Sequence, residues 1–307
     1  MRILTHIHTM NDATVIEQAL EGLRRQTRPP DAILIVDNAS TDGTLDRTFP
    51  ETVTIIRNPE NLGTSGAIRT GLAHALEHGF DWAWLFDADS VPEPEALENL
   101  LAFFERLPPE KREQVCFLAG PSLTATGEIK EQPIRLEGRG MEFAPIASLE
   151  GFTQCDCVLW SGSLYRMAAV ARIGLPTADY VLDIAELEYG YRARQVGFTS
   201  YIVHNSLIHH DVGRNAGAAH RFFRLGPMSL KLYEVSPHRC YYSARNAIYF
   251  WLYQSKPRRM TVALRAIVRA FVFALSFAVR PFSHRPQLAA CIRGIWDGLT
   301  GHMERRY

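Results

Sequence analysis

The sequence begins without the long apolar run that a secretory signal peptide requires. Its first residues, Met-Arg-Ile-Leu-Thr-His-Ile-His, mix short apolar stretches with polar ones, whereas a signal peptide carries an apolar core of about 7–15 residues. The chain also has little cysteine, and its five cysteines are odd in number and scattered. Such thiols do not indicate a disulfide framework and are typical of a reducing compartment. We therefore expect the protein to face the cytoplasm.

Several cofactor and nucleic-acid motifs are absent as well. The first strand-to-helix turn, Thr9-Met-Asn-Asp12, contains no glycine, which argues against the Gly-x-Gly-x-x-Gly site of NAD or FAD enzymes. Cys155-x-Cys157 has no second cysteine pair at the spacing of a zinc site. No segment resembles a nucleic-acid recognition motif. We expect no nucleic-acid partner.

The formal net charge is zero, but the charges are unevenly distributed along the chain. With 307 residues and 47% apolar content, the chain can form one large domain, or one domain with an appendage. From Lys256 onward there are ten basic residues and only two acids, Asp297 and Glu304. We therefore predict that the C-terminal tail is a separate, basic region.

Apolar segments of two periodicities alternate along the first part of the chain. Runs that suit buried strands lie at 2–9, 32–36, 53–57, 82–86 and 115–119, and amphipathic segments that suit helices lie at 12–25, 66–78 and 94–107. Further on we predict a strand at 152–159, helices at 164–173 and 179–197, and a last strand at 199–208. This alternation predicts a doubly wound α/β fold.

Residues 82–89, Trp-Ala-Trp-Leu-Phe-Asp-Ala-Asp, run from a buried strand directly into two carboxylates. Asp87 and Asp89 flank Ala88, and residues two apart on an extended chain point the same way. Open α/β sheets bind ligands at the carboxyl ends of their strands. Paired carboxylates there suit Mg²⁺ or Mn²⁺ carried in with a phosphorylated ligand. The structural alternative is that Asp87 caps the turn and Asp89 caps the next helix.

Six short motifs occur in the order and spacing of a known enzyme family. They are Val36-Asp37-Asn38-x-Ser40-x-Asp42-Gly43-Thr44, Asn61-x-Gly63-x-x-Gly66, Asp87-x-Asp89, Ser161-Gly162, an acid before Arg192-x4-Gly197, and His210-x-x-Gly213. Over residues 1–215 the chain resembles the family 2 glycosyltransferases of the GT-A fold. Tyr241-Tyr242-x-x-Arg245-Asn246 is similar to the rhamnosyltransferase and galactofuranosyltransferase branch.

The resemblance implies a Rossmann-like, mixed but mostly parallel sheet with helices on both faces, followed by a C-terminal helical extension. It also implies an inverting transferase that uses a divalent metal and a nucleotide-diphosphate sugar, with a dTDP- or UDP-sugar as the expected donor. The acceptor would be a glycan or a lipid-linked sugar in cell-surface polysaccharide synthesis. Rhamnose is a candidate for the transferred sugar.

By the same resemblance, several residues bind the nucleotide of the donor. Asp37 would hydrogen-bond the nucleobase, because a pyrimidine imide N–H needs an acceptor, and Thr9 and Asn11 would line the pocket. The alternative for Asp37, together with Asp42, is an Asx-type turn without a ligand.

Three more residues are expected at the donor site. Asn61 lies in the motif that precedes the second helix, and Arg69 on that helix can reach the base or a phosphate. Ala88 separates the two acids. The alternative for Arg69 is an ordinary solvated arginine on a helix surface.

The resemblance assigns the metal to Asp87, Asp89 and His210. Asp89 is the direct ligand, and Asp87 is shared between the metal and the ribose. A histidine at a strand end is otherwise a structural hydrogen bonder, and His209 beside it leaves the assignment open. Mn²⁺ accepts an imidazole ligand more readily than Mg²⁺ does.

Inversion at the anomeric carbon needs a base within hydrogen-bond reach of the acceptor hydroxyl. Counting back from Arg192, Glu186 occupies the position of the family's base, although the family usually has Asp there. Asp183, one helical turn earlier, is the second candidate, and a helix-surface role for both acids is the third. Trp160 is expected to flank the sugar, with a buried core position as its alternative.

Residues 216–307 are predicted to form helices with aromatic, apolar and basic faces. The predicted helical segments lie at 249–253, 262–279 and 288–299. The uncharged part, Ala270–Val279, is too short to span a bilayer, so we expect an interfacial helix with arginines at the headgroups. A helical cap on the catalytic domain, or a contact with a second copy in a homo-oligomer, is the alternative.

The leading hypothesis is therefore a metal-dependent inverting glycosyltransferase, peripheral on the inner face of the cell membrane. One alternative is a sugar nucleotidyltransferase, which should carry a Gly-rich, Arg-containing first loop that this chain lacks at residues 9–12. A second alternative is a membrane-associated scaffold that keeps the fold without turnover.

Overall fold

The computed structural model divides the chain into two compact units. It describes residues 1–124, 126–129, 133–137, 140–146, 148–210, 221–225, 228–232, 235–255, 260–280 and 282–306. The first unit comprises residues 1–137, 141–178 and 186–211, and the second comprises residues 138–140, 179–185 and 212–307. The three predicted metal ligands all belong to the first unit.

Strands and helices alternate along residues 1–210. The strands are β1 (Ile3–Thr9), β2 (Ala32–Asp37), β3 (Val53–Arg57), β4 (Trp82–Asp87), β5 (Ser90–Pro92), β6 (Val115–Ala119), β7 (Ser122–Leu123), β8 (Ile134–Glu137), β9 (Gly140–Phe143), β10 (Phe152–Cys155), β11 (Ser163–Arg166), β12 (Thr199–Val203) and β13 (Ile208–His210). The helices are α1 (Ile16–Arg24), α2 (Gly63–Glu77), α3 (Ala96–Arg106), α4 (Pro109–Glu113), α5 (Met167–Ile173) and α6 (Ala185–Gln195).

An eight-stranded sheet with the order β10-β12-β6-β11-β4-β1-β2-β3 forms the centre of the first unit. β1 runs parallel to β2 and β4, β2 to β3, and β12 to β6. β11 is antiparallel to β4 and β6, and β10 is antiparallel to β12. The sheet is therefore mixed but mostly parallel.

Helices cover both faces of this sheet, as expected for strands that are apolar on both sides. Ile7 of β1 belongs to a buried cluster that includes Leu20 of α1 and Leu97 of α3. The next residue back, His6, faces the other way, and a Cβ built on Gly71 of α2 would lie 2.3 Å from its ring. The alternation of side chains along β1 thus places α1 and α3 on one face and α2 on the other.

A second, three-stranded sheet with the order β5-β13-β7 adjoins the end of β4 along the chain. β13 is antiparallel to β5 with His210 opposite Ser90, and it is parallel to β7. Pro92 ends β5, where its missing N–H is tolerated. This small sheet brings residue 210 next to the segment that follows Asp87.

Most of the predicted strands of the central sheet are confirmed, but the segment at 164–173 is not a single helix. Residues Ser163–Arg166 form β11, which lies between β4 and β6, and only Met167–Ile173 is helical. The predicted strand at 199–208 is also divided, into β12 and β13, because the chain leaves the large sheet and joins the small one. Pairing partners distant in sequence decide both differences.

The second unit contains the predicted C-terminal helices. They are α7 (Pro237–Tyr249), a π-helical turn (Phe250–Gln254), α8 (Met260–Ala278), a 3₁₀ turn (Phe282–His284) and α9 (Arg285–Thr300). Residues of α7, α8 and α9 share one buried cluster that includes Tyr241, Ala274, Phe277 and Ile295. Among the described helices, α8 is long and apolar enough to cross a membrane by length and composition.

The second unit also contains a hairpin that the sequence interpretation missed. Strands β14 (Arg221–Leu225) and β15 (Met228–Leu232) pair in antiparallel fashion. The Gly-Pro dipeptide between them in the sequence is a turn signal. That dipeptide could have predicted a break in the expected all-helical region.

Candidate active site

The carboxyl ends of three parallel strands meet at one edge of the large sheet. Thr9 of β1 is in register with Asp37 of β2, and His8 of β1 is in register with Asp87 of β4. Polar side chains therefore follow the apolar parts of all three strands. In open α/β sheets this is the edge at which ligands bind.

Asp87, Asp89 and His210 converge at this edge. Each offers a potential ligand atom, and these atoms all lie within 4.8 Å of one another. The two carboxylates are partly exposed, whereas the His210 side chain is only 7% exposed. Ala88 between the acids is buried in the core, which fixes the backbone between them. The structure thus brings together the three residues that the sequence predicts as metal ligands.

A short series of hydrogen bonds holds the ring of His210. The Asp87 backbone N–H donates to Ser161 Oγ at 3.1 Å, and the Ser161 hydroxyl donates to Ser90 Oγ at 2.7 Å. Ser90 Oγ lies 2.6 Å from His210 Nδ1. The other ring nitrogen, Nε2, lies 3.6 Å from Asp87 Oδ2. Nδ1 also lies 3.3 Å from Asp89 Oδ1. Nε2 is therefore the nitrogen left for a cation, as in many metal-binding histidines whose other nitrogen has a hydrogen-bond partner.

The turn at residues 160–163 places Ser161 in this series. Gly162 has φ +80°, and a Cβ on it would lie 2.7 Å from the Ile208 side chain. Its N–H donates to the Leu85 carbonyl at 2.7 Å. Only glycine combines this backbone conformation with such close packing.

His8 is a polar neighbour of the site that the sequence interpretation missed. Its Nε2 lies 3.1 Å from Asp87 Oδ1, and its ring stacks on His6 at 5.9 Å between centroids. The pattern His6-x-His8 at the end of a buried strand could have indicated it. The contact of His8 with Asp87 depends on the register of β1 on β4.

Burial and neighbouring groups shift the pKa values of two carboxyls near the site. Burial alone would raise the pKa of Asp89, but its hydrogen bond with His210 and the charge of that ring lower it below its usual value. Burial raises the pKa of Asp12 on the first loop, against hydrogen bonds from Met10 and Thr9. The Asp89 carboxylate is therefore kept charged.

Hydrogen bonds join the first loop to the loop after β2, where the sequence predicts the nucleotide pocket. The Asn11 N–H donates to Ser40 Oγ at 2.9 Å, and Asn11 Oδ1 accepts from the Thr41 N–H at 2.8 Å. Asn11 has φ +61°, in the left-handed region that asparagine tolerates. Thr9 is buried, and its hydroxyl donates to Asp12 Oδ2 at 2.9 Å.

Asp37 is fully buried and already has partners in this structure. Both carboxylate oxygens accept from the Ser40 N–H at 3.2 Å, and one lies 3.4 Å from Arg57 Nε. Asp42 accepts from the N–H groups of Thr44 and Ala13 at 3.0 and 3.1 Å. The turn that the sequence offered as an alternative role for both acids is therefore present. The nucleobase contact of Asp37 stays a prediction.

Asn61 and Arg69 make contacts within the first unit. Asn61 Oδ1 accepts from the Gly63 N–H at 2.8 Å and so supports the start of α2. Arg69 Nη1 donates to the Pro176 carbonyl at 2.9 Å. To contact the donor, the Arg69 guanidinium would have to leave the Pro176 carbonyl or use its other N–H groups.

The candidate bases lie in different local structures. Glu186 is in the first turn of α6 and partly exposed. The predicted helix from residue 179 is wrong at its beginning, because Asp183 and Ile184 have φ +52° and +64° and α6 starts at Ala185. Asp183 pairs with Arg239 at 3.0 Å and accepts a hydrogen bond from Ser243, both within the second unit.

Glu188, two residues after Glu186, is buried and forms an ion pair. Its Oε1 lies 2.7 Å from Arg192 Nε, and its Oε2 lies 3.2 Å from Nη2. Arg192 also donates to the carbonyls of Ile173 and Leu175. The pair therefore anchors α6 to the end of α5.

Trp160 is buried and packs in an aromatic cluster. Its ring centroid lies 5.4 Å from that of Tyr165 and 5.5 Å from that of Tyr189. Within the part of the chain that the structure describes, neither the Trp160 indole nitrogen nor the Tyr189 hydroxyl has a hydrogen-bond partner. The core position weighed for Trp160 is observed, and its contact with a sugar stays a prediction.

Known protein families and curated relatives resemble this chain. Residues 6–110 match the family described as Glycosyl transferase family 2. Galactofuranosyltransferase GlfT1 of Mycobacterium tuberculosis is 32% identical in an alignment of length 199, and the alignment covers 59% of this chain and 61% of that protein. An undecaprenyl-phosphate mannosyltransferase of Micrococcus luteus is 27% identical in an alignment of length 198, and the alignment covers 63% of this chain and 66% of that protein. The chain thus spans less than two thirds of either relative.

A solved structure shares the fold at low sequence identity. The mannosyltransferase PcManGT from Pyrobaculum calidifontis, in complex with GDP-Man and Mn²⁺, aligns with a TM-score of 0.54 and 15% identity. The alignment covers 97% of this chain and 87% of that one. The mixed, mostly parallel sheet of the GT-A type with C-terminal helices, which the sequence predicts, is therefore confirmed.

Proposed function

We propose that this chain, which carries a glycosyltransferase family 2 domain on a GT-A fold, transfers a sugar with inversion from a nucleotide-diphosphate donor. The observation that carries the proposal is the convergence of Asp87, Asp89 and His210 at the carboxyl edge of the sheet. A sugar nucleotidyltransferase is not favoured, because the first loop lacks the glycines and the arginine that such an enzyme needs.

The three side chains fit a divalent cation. Two carboxylates and one imidazole form a mixed oxygen and nitrogen donor set, which suits Mn²⁺ and also accepts Mg²⁺. The hydrogen bond between Ser90 and His210 Nδ1 supports this role, since it leaves Nε2 facing Asp87. A bound cation would neutralise the charge that grows on the departing diphosphate.

The donor pocket is proposed on the two joined loops beside the cation site. Thr9 and Asn11 would line it, Asp37 would accept from the nucleobase, and Asn61 and Arg69 would lie at its margin. dTDP- and UDP-sugars remain the proposed donors, with rhamnose or galactofuranose as the candidate sugars. The name of the mycobacterial relative supports the second sugar. The rise in the thermal unfolding temperature on adding dTDP, UDP or GDP, each in the presence of Mn²⁺, would identify the nucleotide.

Glu186 is the proposed base for the acceptor hydroxyl. It lies on α6, which the buried Glu188–Arg192 pair holds against the end of α5, so its backbone is fixed. Asp183 remains the second candidate, although its carboxylate is engaged by Arg239 and Ser243. Trp160 would border the sugar and the acceptor.

The proposed acceptor is a glycan or a lipid-linked sugar of the cell envelope. The name of the Micrococcus luteus relative, which contains a polyprenyl phosphate, supports a lipid-linked acceptor. We place the protein in the cytoplasm, peripheral on the inner face of the membrane. A homo-oligomer is compatible with this placement.

Release of the nucleoside diphosphate from UDP- and dTDP-sugars, with and without Mn²⁺ and an envelope lipid extract as acceptor, tests the proposed function. Glu186→Gln should keep donor binding and lose transfer, because the amide cannot take the hydroxyl proton. Asp183→Asn is the matched control and should keep transfer. An active Glu186→Gln enzyme would contradict the assignment of the base, and a chain that binds donor but never releases diphosphate would indicate the scaffold instead.

A further inference from the structure

The outer face of α8 carries a stripe of exposed apolar side chains. Leu264, Val268, Phe271, Val272 and Leu275 are between 45 and 61% exposed, and their spacing places them on one side of the helix. The opposite side of α8 is buried in the cluster shared with α7 and α9. Contiguous exposed apolar patches of this kind mark interaction sites in water-soluble domains.

The neighbouring helix α9 repeats this arrangement. Ile292, Trp296 and Leu299 are exposed at successive turns, with Trp296 at 65%. Cys291 and Ile295 on its other side are buried in the same cluster as α8. Each helix therefore packs one face into the core of the second unit and leaves apolar side chains exposed on another face.

The charges on these two helices are of one sign at the surface. Arg265 and Arg269 of α8 and Arg285 and Arg293 of α9 are all exposed. The single acid in either helix, Asp297, is 2% exposed, and it binds Arg306 at 2.9 Å and the Tyr241 hydroxyl at 2.7 Å. The apolar stripes thus lie beside exposed positive charge without exposed acids on the same helices.

We propose that the outer faces of α8 and α9 dock on an anionic lipid surface, with both helices lying along it. Apolar side chains beside arginines, with a tryptophan at the boundary, suit the region between headgroups and acyl chains. A second copy of this chain is a poor partner for the same face, because it would set arginines against arginines. An anionic surface supplies the opposite charge.

Docking along the surface also fits α8 better than crossing the membrane. α8 has the length and composition of a span, but Arg265 and Arg269 lie in it, and Ala263, Ala274 and Phe277 are buried within the unit. A spanning helix would remove those side chains from the cluster or draw the cluster into the bilayer. An interfacial helix keeps the unit intact.

Co-sedimentation of the full chain with vesicles tests the proposal. We expect binding to phosphatidylcholine vesicles that contain phosphatidylglycerol and little binding to phosphatidylcholine alone. Arg265→Gln with Arg269→Gln should weaken binding about fivefold for each arginine removed. Leu264→Gln with Leu275→Gln should also release the protein, whereas Leu76→Gln on the exposed side of α2 is the control and should not.

Four outcomes would overturn the proposal. They are absence of vesicle binding, equal binding of all variants, resistance of the bound protein to alkaline carbonate extraction, and a dimer in solution that Leu264→Gln with Leu275→Gln dissociates. Carbonate resistance would indicate a spanning helix, and the dimer would indicate a second copy. No donor or acceptor takes part in this measurement, so its failure leaves the proposed transferase activity untouched.

Discussion

Two serines determine how His210 is presented at the candidate site. Ser90 lies 2.6 Å from Nδ1, and Ser161 donates to Ser90 at 2.7 Å. Neither hydroxyl is proposed to touch the cation or the donor. Their effect is to fix the ring and the nitrogen that faces Asp87, as outer partners do for metal-binding histidines.

Replacing Ser90 by alanine should weaken the binding of Mn²⁺ about tenfold or more, which is the range seen when an outer partner of a metal ligand is removed. Titration of Mn²⁺ against the nucleotide-bound protein, by calorimetry or electron spin resonance, measures the change. Ser163→Ala is the control, because its hydroxyl donates to the Leu159 carbonyl and not to this series. An unchanged Mn²⁺ affinity in Ser90→Ala would contradict the role given to the serines.

His6 of β1 is a fully buried histidine. Burial lowers its pKa well below 6.5, and the neighbouring rings of His8 and His74 lower it further. The folded protein therefore keeps this ring neutral, while the unfolded chain takes up a proton. The stability that His6 contributes is complete above pH 6.5 and is lost as the pH falls below that value.

His6→Leu should make the folded protein less sensitive to acid. Between pH 7.5 and 5.5 the free energy of unfolding should fall by about 1.4 kcal/mol less in this variant than in the parent, which is the linkage of one proton over about one pH unit. Urea unfolding at the two pH values measures the difference. Equal losses in the two proteins would show that His6 titrates with its usual pKa in the folded state.

At the scale of elements, α6 separates two acids with different functions. Glu186 is partly exposed in the first turn, whereas Glu188 is buried and paired with Arg192. A helix places residues two apart on different sides, so one acid can face a ligand while the other anchors the helix.

Glu188→Gln should lower the free energy of unfolding by about 3 kcal/mol, because it leaves the Arg192 charge without its buried partner. Glu186→Gln should leave stability nearly unchanged. Chemical unfolding of the two variants, whose substitutions lie two residues apart on α6, tests this contrast. A stable Glu188→Gln protein that has lost only transfer would instead assign the base to Glu188.

The elements that the sequence predicts well are those with local causes. β2, β3 and β6 coincide with apolar runs of the sequence. β11, in contrast, exists because β4 and β6 accept it between them, and β13 exists because β5 and β7 do. No local pattern specifies such partners, so the residues of β11 were predicted as the start of a helix.

The candidate site follows the same division. Asp87 and Asp89 are predictable, since they end a buried strand and lie two residues apart. His210 was predicted only through the resemblance to a family, because its neighbour in space, Ser90, is 120 residues away. His8 and the two serines depend on strand register and were not assigned these contacts from the sequence.

At the scale of the whole molecule, the two units have different chemistry. The first presents carboxylates and a histidine at a sheet edge. The second presents exposed arginines and apolar side chains on α8 and α9. A transferase with a lipid-linked acceptor needs both kinds of surface, and each can be tested without the other.

The central claim is that Asp87, Asp89 and His210 bind a nucleoside diphosphate through a divalent cation. Isothermal titration of UDP and dTDP, in Mn²⁺ and in EDTA, tests it most directly when the parent is compared with Asp89→Asn and with Glu105→Gln as an exposed-acid control. We predict that EDTA weakens nucleotide binding by about 100-fold or more in the parent and in the control. This loss is at least as large as the loss of metal affinity expected when an outer partner of a metal ligand is removed. EDTA should not change nucleotide binding by Asp89→Asn. Tight binding by the parent in EDTA, or an undiminished Mn²⁺ effect in Asp89→Asn, would contradict the claim.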